Sequence, residues 1–402
     1  MSVRELNFDK PNLTWDLKEV KRLFWTDLED GSRQMLKQTL EQLMAHDLYE
    51  YLQVDRHERA ERRRGYRNGY RYRRLLTGNG EVELKVPRDR EGEYKPEYFD
   101  RYQRRSEAID KGIRAMFLRG VSTRKVGEIL AALCGVGVSA SLVSKITKQL
   151  DQLVREYENG PIEDDFVYLI IDGLSVRVKV GLRAQRMMIL VAYGIRRDGS
   201  RKLIGFRLAK SESKANYQSF LDNLKVRGLR GANLKLIVMD GALGLWSAIE
   251  EIYPQVPHQL CWVHKLRNVS SSCPVRHRQE CVGEAARIMN AKSVGIAVKT
   301  FRRWKEKWES KAPKAVKCLE RDFDKLIPFF EFPRECHKLL RTTNVIERCF
   351  REVRRRLDVM GYFQNSKSCK RIVTSIFEYF NTKWQRKTER IKPIAQYFSK
   401  VA

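Results

Sequence analysis

Asp172 lies in the middle of the apolar run FVYLIIDGLSVRV, residues 166–178, and Asp240 closes a second apolar run, LIVMDG. Glu347 falls one turn into TTNVIERCFREVRRR, among Arg348, Arg351, Arg354, Arg355 and Arg356. A carboxylate inside an apolar strand loses its hydration and must recover it from hydrogen bonds, a cation or an altered pKa. Two aspartates a few ångströms apart repel unless a cation stands between them. Oxygen ligands with no neighbouring Cys or His favour Mg2+ or Mn2+, and three carboxylates can hold two such ions. Two ions so held activate a water or a 3′-hydroxyl and stabilise the leaving oxygen of a phosphodiester. Each residue also has an ordinary reading. Asp-Gly after a strand is a common turn, and Glu347 could simply be the i,i+4 partner of Arg351.

The elements that must position these residues are legible from periodicity. FVYLIIDGLSVRV reads as a first strand, and residues 186–209 as two more joined by a turn at Asp198-Gly199. NYQSFLDNLKVRG is a helix ending at Gly228, LKLIVMDGALGLWSAIEEIY a buried strand and a helix, and PHQLCWVHKLRNV a short strand that turns helical. Three antiparallel strands, a helix, a strand, a helix and a strand predict an α/β, RNase H-like core. In that order the first and fourth strands are neighbours, so Asp172 and Asp240 converge. Residues from about 266 to 337 read as helices rich in Lys, Arg and Trp. A basic helix capped near Thr342, Thr343 or Asn344 then carries Glu347 back to the sheet.

The charge names the partner. Seventy-nine Lys and Arg against fifty Asp and Glu give +29, an excess that a polyanion must neutralise, so nucleic acid leads over an anionic membrane. No apolar signal core opens the chain and eight cysteines are scattered without a framework, which predicts a cytoplasmic, nucleoid-associated protein with reduced thiols. Residues 15–53 have the spacing of amphipathic helices. RHERAERRRGYRNGYRYRRLL, 56–76, reads as a flexible arm for phosphates or a minor groove, with Arg62, Arg63, Arg64, Arg67, Arg71 and Arg73 as contacts and Gly65 and Gly69 breaking any helix. GEVELKVPRDR, 80–90, reads as a strand that stops at Pro87. Residues 107–157 read as three helices, with Ser122 capping one and Ser139 or Ser141 capping the next across the turn CGVGVS. That is helix-turn-helix spacing, which would offer Ser141, Ser144, Lys145 and Lys148 to a groove; plain three-helix packing gives the same pattern.

Cys261, His264, Cys273 and His277 spell C-x2-H-x8-C-x3-H, close to zinc spacing. HQLCW is too apolar for a closed knuckle, so Cys261 and His264 read instead as a structural or substrate-positioning pair, with His258 and His337 as surface or packing residues. Trp246, Trp304 and Trp308 read as core, although a tryptophan in the helical stretch could wedge against an unpaired base.

RNGYR, VPRDR, GVSTRKV, IIDGL, VMDG, CWVHKLRN, FFEFP and TTNVIER, in this order, resemble the mutator-like transposases of bacterial insertion sequences over nearly the whole length. The resemblance implies a DDE transposase: a metal-dependent nuclease and DNA strand transferase with two Mg2+ or Mn2+ ions. Asp172, Asp240 and Glu347 match the family's catalytic and metal-binding trio. The long separation of Asp240 from Glu347 matches its all-helical insertion, and Cys261 and His264 match its Cys-x-x-His pair, with Asn344 close by. Gly173 stands where the family usually has alanine. The resemblance further implies cleavage at terminal inverted repeats, joining of the 3′-OH to target DNA, a copy-out/paste-in route in several members, and a homodimer or larger synaptic complex holding two ends. Arg348, Arg351 and Arg355 would bind the DNA backbone. The expected layout is an N-terminal helical region with the arm and short strands (1–105), a helix-turn-helix-like domain (106–160), the first part of the core (161–265), the insertion (266–337) and the C-terminal helices with Glu347 (338–402). An RNase H-like nuclease without strand transfer and an inactive or domesticated DNA-binding regulator are the competing readings.

Overall fold

The computed structural model describes residues 17–98 and 103–388, in two compact units, Met1–Lys148 and Gln149–Ala402. The expected helix start at Trp15, the N-terminal residues read for a signal, and 389–402 lie outside the described residues.

In the first unit α1 (Leu17–Leu52) is one long helix, and β1 (Arg67–Thr77) pairs antiparallel with β2 (Gly80–Asp89). The arginine segment is therefore half strand rather than a flexible arm. The reason lies in its partner: Val82, Leu84 and Val86 alternate along β2 and bury with Leu75 of β1 and Met44 of α1, so pairing continues outward from an apolar anchor. The turn is closed by the Thr77 hydroxyl, which donates to Gly80 O at 2.8 Å. Pro87 does not stop β2, which runs on to Asp89 with Pro87 opposite Tyr70. In a two-stranded ribbon each strand has an outer edge without a ladder, where a missing N–H is tolerated.

Residues 107–157 form four helices rather than three: α2 (Glu107–Leu118), α3 (Thr123–Cys134), α4 (Ala140–Thr147) and α5 (Leu150–Asn159). Ser122 accepts from Lys125 N at 3.3 Å and Ser139, not Ser141, accepts from Leu142 N at 3.2 Å. Ile109, Ile113, Val126, Leu130, Val143 and Ile146 give α2, α3 and α4 a common core. α5 belongs to the second unit. Its Val154 and Tyr157 are buried there, the Tyr157 hydroxyl donates to Glu378 at 2.9 Å, and Asp151 forms a two-point ion pair with Arg371 at 2.6 and 2.7 Å. Those tertiary contacts break a helix that periodicity alone would run on.

The second unit is built on a five-stranded sheet of β3 (Phe166–Val180), β4 (Arg183–Arg196), β5 (Arg201–Ala209), β6 (Leu236–Met239) and β7 (His258–Leu260), in the spatial order β5-β4-β3-β6-β7. β5, β4 and β3 are antiparallel, while β6 and β7 run parallel to β3. Helices α6 (Lys214–Val226) and α7 (Leu243–Ile252) connect the later strands. On β5, Gly205 faces Leu224 of α6 while the neighbouring Phe206 meets Phe377 of α14 (Ser366–Thr388) edge-on, so the sheet is covered on both faces. Between these, α8 (Trp262–Ser272), α9 (Arg278–Met289), α10 (Val294–Trp308), α11 (Pro313–Arg321) and α12 (Arg334–Leu340), with short 3-10 turns, form a helical stretch, and α13 (Asn344–Met360) returns to β3.

Candidate active site

The sheet register places the site. Ile171 aligns with Met239, and Met239 with Leu260, so on three parallel strands the next residues are Asp172, Asp240 and Cys261. β6 ends at that level, and β3 continues past it paired with β4 and, at Arg177 and Lys179, bonded to Phe363. The burial pattern changes at the same point. Residues 166–172 are buried without interruption between two neighbouring strands and two helical layers, whereas from Gly173 onward buried and exposed residues alternate. Asp172 is the last residue of the closed sheet, at the crevice where parallel strands end, a place where α/β folds put their ligands.

Asp172 is 2% exposed. Its Oδ1 accepts from the Gly173 N–H at 2.8 Å, and its Oδ2 has no hydrogen-bond partner. Burial is the main cause that lifts its pKa to about 7; Asp240 adds to the rise, while His264, the Thr343 hydroxyl and the Gly173 N–H oppose it. Asp240 is half-buried, and its Oδ1 accepts from the Ala242 N–H at 3.2 Å. Burial raises its pKa as well, against the Ala242 N–H and His264.

His264 and Glu347 reach the same place from two helices that are tied together. The Thr343 N–H donates to Cys261 Sγ at 3.3 Å, the Trp262 N–H to Arg341 O at 3.0 Å, and the Gln259 side chain to Leu340 O at 3.0 Å. These bonds fix the start of α13 against the β7–α8 junction. One ligand-capable atom each from Asp172, His264 and Glu347 falls within 4.8 Å of the others. Glu347 is flanked by Arg267 Nη1 at 3.4 Å and Arg354 Nη1 at 3.3 Å, not by Arg351. The hydrogen bond to Cys261 is the main cause that raises the His264 pKa to about 9, against burial and helped by the charges of Cys261, Asp172 and Asp240. Burial works to raise the Cys261 thiol, but the hydrogen bond and charge of His264, with Thr343, leave it lowered.

The expectation of an all-oxygen ligand set without a neighbouring His meets a difference here: His264 stands with Asp172 and Glu347, while Asp240 adjoins that group of three without belonging to it. The signal was present in the Cys-x-x-His pair directly after the strand beside β6. The four-residue zinc spacing does not close, since Cys273 hydrogen-bonds with Cys281 instead. Asn344, the first residue of α13, is exposed. His337 is buried and packs against Phe329 and Phe330, and His258 packs on Trp246. The wedge suggested for a tryptophan fails for two of them. Trp304 and Trp308 are 3% and 1% exposed, and their indole N–H groups donate to Cys281 O at 2.9 Å and Glu284 at 2.8 Å.

The residues expected to touch DNA divide into two groups. Arg62 pairs with Glu58 at 2.8 Å, Arg67 donates to Val54 O at 3.0 Å, Arg73 donates to Gln103 O, and Arg355 pairs with Glu352 at 2.7 Å. Arg63 lies over the Tyr66 ring at 4.7 Å. These side chains hold protein. Arg64, Arg71, Ser141, Lys145, Lys148, Arg348 and Arg351 are exposed, Ser144 is half-buried, and Tyr70 and Tyr72 stand out on one face of β1 while Arg71 points to the other. Among the described residues no helix is long and apolar enough to cross a membrane.

The comparisons with known proteins agree with one another. The sequence profile of the family described as "Transposase, Mutator family" matches residues 10–387. The transposase for insertion sequence element ISRM5 of Rhizobium meliloti (strain 1021) is 35% identical over 355 residues, which cover 88% of this chain and 89% of that protein. The transposase for insertion sequence element IS256 in transposon Tn4001 of Staphylococcus aureus is 34% identical, over 89% of this chain and 91% of that one. The transposase for insertion sequence element IS406 of Burkholderia multivorans is 30% identical, over 88% and 92%.

Proposed function

The chain belongs to the Mutator family of transposases, and on that premise we propose that it is a DDE transposase that binds the terminal inverted repeats of its own insertion sequence, cuts at the element ends and joins the freed 3′-OH to target DNA. Asp172, Asp240 and Glu347 are the catalytic carboxylates on an RNase H-like core. The strand order, with an antiparallel β5-β4-β3 half and a parallel β3-β6-β7 half, supports that core. One observation carries the reading: a fully buried aspartate oxygen without a partner stands in a group of three side chains whose ligand atoms lie within 4.8 Å of one another.

The donors fit divalent cations, Mg2+ or Mn2+, since an orphaned carboxylate oxygen and a second carboxylate are hard ligands and the imidazole extends the set toward Mn2+. Such cations, two in our reading, supply charge neutralisation at the scissile phosphate and acidify the attacking water or 3′-hydroxyl. Everything else is the chain's own work. Asp172 and Asp240 present oxygens from one level of two adjacent strands, and the bonds between Cys261 and Thr343 and between Trp262 and Arg341 hold Glu347 in register with them. His264, positively charged against Cys261, offsets the carboxylates when no cation is bound and must release its proton to ligate one. Arg348 and Arg351, exposed beside Glu347, neutralise backbone phosphates. α3 and α4 act as a helix-turn-helix reader, and Arg64 and Arg71 with Tyr70 and Tyr72 extend the contact from the β1 ribbon. Two copies holding two ends, a copy-out/paste-in route, and the five-part domain layout with 266–337 as an insertion in the core complete the proposal.

The test incubates DNA carrying the flanks of this reading frame with Mg2+ or Mn2+ and either wild type or Asp172→Asn, Asp240→Asn and Glu347→Gln, scoring cut and joined products. Cleavage and joining by wild type alone establish the reading. Cleavage without joining points to a nuclease, and binding without either product, equal in all four proteins, points to a DNA-binding regulator.

A further inference from the structure

α1 carries two apolar faces, and its own unit uses one of them. Leu40 and Met44 pack against Val82, Leu84 and Val86, and Leu48 and Leu52 against Val54 and Tyr94. The earlier turns are different: the described side chains from Lys21 to Asp30 are exposed all round the helix. Phe24, Trp25, Leu28 and Met35 are each more than half exposed, and the Phe24 and Trp25 rings meet edge-on at 5.5 Å. At about 100° per residue Phe24, Leu28 and Met35 share one face with Trp25 at its side, and Leu28 is turned about 200° from Leu48. The exposed stripe therefore lies on the side of α1 away from the core that Leu48 enters.

Helical stability comes mostly from packing an apolar face, so a stretch like this calls for a cover. Gly31 adds to the need, since a glycine inside an exposed helix costs about 1 kcal/mol against alanine, and a Cβ there would meet nothing within 4 Å. The charges say what the cover is. Residues 17–22 hold three cations and one acid, and residues 26–31 hold three acids and no cation. The two stretches flank Phe24 and Trp25. A second α1 laid antiparallel brings the basic turns of each copy against the acidic turns of the other and sets the four aromatic rings at the two-fold axis. A parallel pair would set like charges together, and Asp27, Glu29 and Asp30 repel DNA.

We propose that the exposed face of α1, centred on Phe24, Trp25 and Leu28, is a homodimer interface that takes the same face of a second copy in antiparallel orientation. The inference deepens the two-copy part of the proposed function and rests on that part, not on the carboxylate chemistry. Such a contact is isologous and closes on itself, so it stops at two copies. The rest of each α1 runs in opposite directions from the crossing, toward its own β1–β2 ribbon, so one dimer presents two ribbons, one for each DNA end.

The experiment is sedimentation velocity of the full-length protein over a wide range of concentration, without DNA or divalent cation. Wild type should pass from monomer to dimer. Trp25→Ala with Leu28→Ala should weaken the dimer about a hundredfold, as loss of central interface anchors does, with thermal unfolding near wild type. Two charge variants sharpen the test: Lys18→Glu, Lys21→Glu and Arg22→Glu in one protein, and Asp27→Lys, Glu29→Lys and Asp30→Lys in the other. Each alone should stay monomeric, and their equimolar mixture should dimerise again, a rescue that damaged folding could not give. Charge variants that dimerise alone, or a mixture that does not, would overturn the inference. So would a wild type that is monomeric throughout: a drop in thermal stability on Trp25→Ala with Leu28→Ala would then assign the cover to residues 1–16 of the same chain, and unchanged stability would assign it to another partner. Dimers through α1 in a wild type that neither cuts nor joins end DNA would sink the proposed function and leave the interface standing.

Discussion

Two carboxylates are buried in the second unit in contrasting company. Asp322, at the end of α11, accepts from Lys265 Nζ and from Arg321 Nη2 at 3.0 Å, and Lys265 is itself only 4% exposed. Burial works to raise the Asp322 pKa, but the hydrogen bonds and charges of Arg321 and Lys265 leave it lowered. Asp172 has the Gly173 N–H, the Thr343 hydroxyl and the charge of His264 in its favour, but one oxygen is without a partner and a second aspartate stands beside it, and burial lifts its pKa to about 7. Asp172 is 2% exposed and Asp322 9%. The difference is that Asp322 is ion-paired by Lys265 and Arg321, whereas Asp172 keeps an oxygen without a partner, the pattern our proposal reads as a structural carboxylate and a metal-binding one.

The comparison can be broken from either side. The largest effect belongs to chemistry: Asp172→Asn, Asp240→Asn or Glu347→Gln should lower end cleavage about a thousandfold, or about 4 kcal/mol of transition-state stabilisation, while native gel shifts on end DNA stay near wild type. If Asp322→Asn abolished cleavage in a stably folded protein, the assignment of roles would be wrong.

Stability should respond the other way round. Lys265→Met leaves Asp322 buried with half its cationic partners and should cost about 3 kcal/mol in urea unfolding. Adding Asp322→Leu should return most of that loss, since two apolar side chains replace a pair rather than orphan a charge. Asp172→Asn should not destabilise the metal-free protein.

Acid sharpens the contrast through opposite signs. The folded pKa of Asp172, about 7, lies above its unfolded value near 3.8, so the folded state holds the extra proton between them. Its contribution to metal-free stability is full below the unfolded value, falls as pH rises through about 7, and is flat above. Asp322 is lowered, so its contribution is present above the unfolded value and is lost as pH falls through the folded one. Urea unfolding in chelator across that range should show a slope that Asp172→Asn removes and Asp322→Asn does not.

The smallest effect lies on the surface. Replacing Arg64 and Arg71 by Gln should reduce the slope of log affinity for DNA against log salt by about 2, near one unit per phosphate contact. The same change at Arg62 and Arg67, which bond Glu58 and Val54 O, should leave the slope nearly unaltered.

Much of this architecture was legible beforehand. The alternation of Val82, Leu84 and Val86, the Asp198-Gly199 turn, the Ser122 cap and the apolar runs around Asp172 and Asp240 each express a local preference that the packed protein keeps. Other features were not. The arginine segment looked mobile because its polar half carries no burial signal, yet Leu75 and β2 recruit it into a strand. The break before α5 is set by Arg371 and Glu378, more than two hundred residues away in sequence. The Cys-x-x-His spacing reads as a positioning pair, whereas the structure sets the His264 ring beside Asp172 and Glu347.

By itself, then, the sequence determined the carboxylate-bearing strands, the excess of positive charge and the order of elements, because these follow from side-chain chemistry and from periods of two and 3.6 along the chain. Only the tertiary structure decided which buried carboxylate is ion-paired by lysine and arginine, as Asp322 is, and which keeps an unpartnered oxygen, as Asp172 does. That depends on which helix end a distant segment reaches, and that distance is not written in any local run of residues.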